Sequence, residues 1–121
     1  MTRPNPRRSL GAAGEAAVAA WYEARGHRVI DRNWRCREGE LDLVVRAGAT
    51  VVFCEVKTRR SARFGAPYEA VTATKQRRLR VLAARWLAEH PHRSANVRFD
   101  VASVYARDGH ESIVEVLEHA F

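Results

Sequence analysis

Three charged residues, Asp42, Glu55 and Lys57, interrupt the apolar runs of GELDLVVRAGATVVFCEVK, residues 39–57. A plain buried strand would carry none of them. Like charges set opposite one another on paired strands are destabilising unless a cation lies between them. A divalent metal supplies that cation. Carboxylate oxygens and water suit Mg²⁺ (or Mn²⁺), which binds through one or two carboxylates and keeps several waters. A lysine one strand step away is placed to orient an attacking water or to neutralise a phosphate. The chemistry on offer is metal-assisted phosphoester hydrolysis, with catalytic candidates Asp42, Glu55 and Lys57 and metal candidates Asp42 and Glu55. The plainer reading is a solvated strand face on which Glu55 and Lys57 form an ordinary surface pair.

Positioning these groups requires a hairpin. The apolar runs at 41–45 and 51–56 flank the small-residue tetrad 47–50, a hairpin signature. With the tetrad as loop, Arg46 pairs with Val51 and Asp42 falls opposite Glu55. Alternation puts Glu55 and Lys57 on the face of Val51 and Phe53. Upstream, residues 10–25 are Ala-rich, with Leu10, Ala13, Ala17, Trp21 and Ala24 at helical spacing, and Gly26 ends that helix. Glu15 lies outside this stripe. It is either a first-turn acid complementing the helix dipole or a third carboxylate brought over the strand face.

The remaining elements are more ordinary. Residues 1–9 hold Pro4, Pro6 and three arginines and read as a flexible basic arm before a single domain, 10–121. Residues 28–31 read as a short strand and 32–38 as a polar link anchored by Trp34. Beyond the hairpin, the loop 58–68 carries Arg59, Arg60 and Arg63, placed either to clamp a phosphate backbone or simply to face water. Thr74 is the expected N-cap of a second helix running to about Glu89 and stopped by Pro91, with Leu79, Leu82, Ala83 and Trp86 as its buried stripe. Arg77 and Arg80 point away from that stripe. Lys75 lies on the stripe's azimuth, positioned to reach a phosphate near the metal or to snorkel. Residues 96–105 alternate as a strand, Asp108-Gly109 is a turn, and 112–117 form the last strand.

Composition narrows the function class. With 21 Lys and Arg against 14 Asp and Glu, the 121-residue chain has a formal charge of +7 and a pI near 10.4. The basic residues are clustered, which favours a polyanionic partner over a merely soluble surface. No apolar run is long enough to span a bilayer and no signal peptide is evident, so a cytoplasmic protein without membrane contact is expected. Cys36 and Cys54 fit a reducing compartment and no disulfide is expected. The 5 histidines lack zinc-ligand spacing. Glycine-rich phosphate loops, nucleophile elbows and internal repeats are likewise missing from the sequence.

Helix, three strands, helix, two strands, with carboxylates on the central hairpin, resembles the restriction-endonuclease-like fold. Its PD-(D/E)xK signature is an acid, then Asp or Glu, one spacer and Lys. Asp42, Glu55 and Lys57 match it position by position, and Glu15 stands where archaeal Holliday-junction resolvases carry an acid on the first helix. The segments GEAAVAAWYEARGHRVIDRNWR, GELDLVV, FCEVKTR, FGAPYEAVTATKQRRL, VRFDVASV and the terminal AF together resemble the YraN-like family of uncharacterised bacterial proteins, over nearly the whole chain from about Leu10. The resemblance implies an α/β domain with a central mixed five-stranded sheet flanked by helices, order α-β-β-β-α-β-β. It also implies a Mg²⁺- or Mn²⁺-dependent nuclease acting on DNA or structured nucleic acid with little sequence specificity, as a possible homodimer. In that picture Glu15 completes the metal shell, and Arg59, Arg60, Lys75, Arg77 and Arg78 contact phosphates. The alternatives are a non-catalytic nucleic-acid-binding protein on the same scaffold, or an adaptor for an acidic protein partner.

Overall fold

The structure is a computed structural model, and it describes residues 6–60, 71–91, 96–107 and 109–121. The Ala-rich run forms helix α1, Pro6–Ala24. It starts with proline at its first position, where the missing N–H is no loss. The helix thus begins inside the stretch expected as an arm. Gly26 follows at φ +79°, the left-handed position that ends helices.

Strands β1 (Arg28–Cys36), β2 (Gly39–Ala47) and β3 (Thr50–Arg59) follow, then helix α2 (Ala73–Glu89) and strands β4 (Asn96–Arg107) and β5 (His110–Leu117). They build one five-stranded sheet in the order β1-β2-β3-β4-β5. Only β3 and β4 run parallel, as the α2 crossover between them requires. The architecture is the expected mixed α/β order.

Four local expectations change. The buried face of α1 is Val18, Ala19 and Tyr22, not the stripe from Leu10 to Ala24, of which Ala13 and Ala24 are exposed; the larger side chains take the core. The link expected at 32–38 is strand for most of its length, because an edge strand needs a hydrogen-bonding neighbour on one side only and can turn its charged residues to water. The hairpin loop shrinks from four residues to two. Ala47 already pairs with Thr50, Arg46 pairs with Val51 as the pattern requires, and Gly48 takes the positive φ of the turn, +61°. The N-cap of α2 is Thr72 rather than Thr74: its hydroxyl accepts the Lys75 backbone N–H at 3.2 Å. Both threonines offer the same chemistry, and the burial of Val71 in the core sets where the chain enters the helix. The loop expected at 58–68 lies mostly outside the described residues, and so does Asp108.

Each face of the sheet carries one helix. Val18, Ala19 and Tyr22 of α1 pack on Leu43, Val45, Val52, Cys54, Ala102 and Val104. Leu79, Leu82, Ala83 and Trp86 of α2 pack on Leu41, Val44, Val51, Phe53, Phe99 and Val101. Trp86 also donates its indole N–H to Asp31 Oδ2 at 2.7 Å, tying α2 to the edge strand. Both cysteines are free. No helix among the described residues is long and apolar enough to cross a membrane.

Helix α1 approaches β3 closely at Gly14. A Cβ built there would lie 1.8 Å from Thr58 Oγ1 and 3.0 Å from Thr58 Cβ. Gly14→Ala is therefore expected to lower stability by about 1–2 kcal/mol in urea unfolding, because overpacking outweighs the gain of up to about 1 kcal/mol in helix propensity. An unchanged midpoint would show that helix and strand separate freely.

Candidate active site at the opening between β2 and β3

The hairpin ladder runs from Ala47–Thr50 to Leu43–Cys54 and stops there. Asp42 and Glu55 are the next positions in the same register. At this point Asp42 Oδ2 accepts the backbone N–H of Val56 at 2.9 Å, so the carboxylate fills the slot where a ladder bond would otherwise lie. The alternation of β2 breaks at the same residue: Leu43 and Val45 join the α1-side core, whereas Leu41 joins the α2-side core. The neighbouring strand is irregular too. Between Arg32, opposite Leu43, and Trp34, opposite Leu41, Asn33 adopts φ +50°. Asparagine tolerates that left-handed region better than other side-chain-bearing residues, so the edge strand turns here at little cost.

Four carboxylates converge on this opening. Glu55 is 9% exposed and pairs with Lys75 Nζ at 2.8 Å. Glu15 arrives from α1, where the Asn33 side chain hydrogen-bonds to it. Glu40, two residues before Asp42 on β2, stands near Arg35 Nε at 3.6 Å. Glu15 lies between two cavities, one of about 290 Å³ lined also by Leu10, Val56, Lys57 and Thr58, the other of about 340 Å³ lined also by Ala12, Asn33, Arg35 and Glu40.

The electrostatics follow from this crowding. Burial, then the Glu55 carboxylate, push the Asp42 carboxyl up to about 7; the Val56 N–H opposes them, and Glu15 and Glu40 add to the rise. Glu15 is also raised, by burial first, with the Asn33 hydrogen bond opposing and Glu40 and Glu55 adding. Lys57 is lowered, first by the neighbouring Lys75 and then by burial. Ser103, in register with Lys57 on β4, is fully buried, and its hydroxyl has no partner among the described residues.

The expected residues are thus partly gathered. Glu55 touches Lys75, Glu15 and Lys57 line one cavity, and Asp42 lies near enough to Glu55 and Glu15 for their charges to act on it. Arg78 is exposed one helical turn after Lys75, on the same side of α2. Arg77 lies off that side and donates to Thr74 Oγ1 at 3.3 Å. Arg59 ends β3 opposite Tyr105, and Arg60 follows it, exposed. Sequence reasoning missed Glu40, although its spacing of two from Asp42 on a strand was a signal. It also missed Asn33, whose conformation nothing local in the sequence announces.

Residues 14–104 match the family described as uncharacterised protein family UPF0102. The chain belongs to the UPF0102 family. A UPF0102 protein of Frankia alni is 59% identical over 96 residues, 79% of this chain and 80% of that protein. One from Nocardia farcinica is 46% identical over 121 residues, 100% of this chain and 95% of the relative. One from Clavibacter michiganensis is 47% identical over 120 residues, 99% of each. The candidate site residues of this UPF0102 member, from Glu15 on α1 to Arg78 on α2, lie inside the segment matched to the family.

Proposed function

We propose that this UPF0102 member is a divalent-metal-dependent nuclease that cleaves phosphodiester bonds in DNA or structured nucleic acid with little sequence specificity, on a restriction-endonuclease-like scaffold. The observation that carries the reading is the crowding of Asp42 by Glu55, Glu15 and Glu40 at the β2–β3 opening, which with burial pushes its carboxyl up to about 7. Such a cluster is unfavourable in itself and is relieved by a hard cation. The donor set fits Mg²⁺ or Mn²⁺, since it offers carboxylate oxygens and no sulfur or imidazole. Among the described residues no three His, Cys, Asp or Glu side chains form a ready cage. Two carboxylates completed by water and substrate phosphate are the usual protein share for Mg²⁺.

In this reading Asp42 and Glu55 would hold the cation, and Glu15, hydrogen-bonded by Asn33, would complete the shell. The cation would supply a more acidic water and a counter-charge for the phosphoryl oxygens. Lys57, made more acidic by Lys75, orients the attacking water and exchanges a proton with it. Arg59, Arg60, Lys75, Arg77 and Arg78 contact phosphates without reading bases, so binding weakens steeply with salt. A second reading, non-catalytic nucleic-acid binding, is favoured by the Lys75–Glu55 ion pair, which neutralises a ligand carboxylate without metal.

The test is cleavage of end-labelled branched and linear DNA, and of RNA, in Mg²⁺, Mn²⁺ or EDTA. We expect metal-dependent products, and a loss of about 10²-fold in Lys57→Ala, the usual scale for removing one positioned electrostatic group. Binding without cleavage in any metal supports the second reading. Neither binding nor cleavage defeats both.

A further inference from the structure

Lys75 occupies an unusual place. It lies in the first turn of α2, a turn that contains no acidic residue and where a cation opposes the helix dipole. Its backbone N–H is held by the Thr72 cap, so its position is set by the start of the helix. From there its ammonium reaches Glu55 Oε1 at 2.8 Å, between side chains that are 29% and 10% exposed. Lys57, two residues beyond Glu55 on β3, is crowded by the same ammonium. Two lysines therefore stand beside one nearly buried carboxylate.

We propose that Lys75 is an internal counter-cation that exchanges with the divalent metal: it neutralises Glu55 when no metal is bound, and when Glu55 ligates metal the released ammonium takes a phosphate of the nucleic acid. The proposal rests on the nuclease reading of the same site and adds a regulation to it. Glu55 Oε1 cannot serve the ammonium and a metal in the same way at once, so Lys75 competes with metal in the free protein. Once displaced, Lys75 and Lys57 face each other without the carboxylate that separated their charges, at the N-terminus of α2, which itself favours anions. A phosphate relieves that repulsion. Metal and nucleic acid therefore bind with positive coupling, and by linkage each strengthens the other by the same factor. The free protein is protected from loading metal without substrate.

The test is calorimetric titration of Mg²⁺ into the full chain, with and without a non-cleavable phosphorothioate oligonucleotide, at constant ionic strength. In the parent the oligonucleotide is expected to tighten Mg²⁺ binding about tenfold or more, within the usual range of coupling between sites. Lys75→Met is expected to bind Mg²⁺ alone more tightly than the parent and to lose most of the coupling. Arg80→Met, which removes the same charge elsewhere on α2, serves as the control and should leave Mg²⁺ affinity alone unchanged. If Lys75→Met binds Mg²⁺ no tighter than the parent, or keeps the coupling, the exchange is overturned while the metal site stands. If the parent binds no Mg²⁺ under either condition, exchange and nuclease reading fall together. Should Lys75→Met fold poorly, the parent decides: in ¹³C-dimethyl-lysine NMR spectra Mg²⁺ must move the Lys75 signal, and an unmoved signal overturns the exchange.

Discussion

Without metal, Asp42→Asn is expected to be more stable than the parent at pH 8 by about 2 to 4 kcal/mol and close to it near pH 4. The parent's Asp42 carboxyl is raised from its ordinary 3.8 to about 7 by burial and by Glu55. A group whose folded value lies above its unfolded value gives its full stability below the unfolded value. That stability is lost as pH rises through the folded value. For Asp42 the loss falls between about pH 4 and pH 7, and Glu15, raised for the same reasons, loses stability in the same direction. Asparagine keeps an oxygen to accept the Val56 N–H and never ionises, so its profile is flatter over this window. Urea unfolding across pH 4–8 measures the difference. Saturating Mg²⁺ at pH 8 should then stabilise the parent, by about 2.7 kcal/mol at a hundredfold excess over Kd, and do little for Asp42→Asn. A parent whose stability is flat across this window would show that the carboxylates do not share one confined space.

Asp100→Ala is expected to lower stability by about 3 to 5 kcal/mol, the scale for breaking a buried charge network by removing one partner. Asp100 is 1% exposed. Its Oδ2 accepts the Tyr22 hydroxyl at 2.6 Å and Arg98 Nη2 at 3.0 Å. Its Oδ1 accepts Arg98 Nε at 2.8 Å and the His119 backbone N–H at 3.0 Å. One carboxylate thereby joins α1, β4 and the C-terminal segment, where Phe121 stacks on Phe99 with ring centroids 4.9 Å apart. Truncation leaves a guanidinium, a phenol and a backbone N–H without their acceptor. The denaturant midpoint should fall with little change in slope, while Mg²⁺ affinity of the folded protein holds, because the hydrogen bonds of Asp100 run to Tyr22, Arg98 and His119 and not to the site carboxylates. A loss under about 1 kcal/mol would mean that solvent replaces the carboxylate and that the network contributes little.

Much of this architecture was legible because it is written locally. The apolar runs of β2 and β3, joined by a small-residue turn, set the register that brings Asp42 level with Glu55, since in a hairpin the length and type of the turn fix which residues face each other. The stripe Leu79, Leu82, Ala83 and Trp86 marks the buried face of α2 by its spacing alone. Edges were harder to read. The exposed residues of β1 resemble a link, because half of an edge strand's side chains face water, and Thr72 and Thr74 compete as caps on equal chemical terms.

What the sequence by itself determined was the pair of strands that carry Asp42, Glu55 and Lys57, the basic character of α2, and the order of the elements, all products of short-range patterning. What only the tertiary structure decided was the meeting of Glu15, Asn33 and Glu40 with Asp42, the contact of Lys75 with Glu55, and the raised Asp42 carboxyl. These depend on packing between segments distant in the chain and on the burial that this packing imposes, and neither is contained in the spacing of residues along a strand or helix.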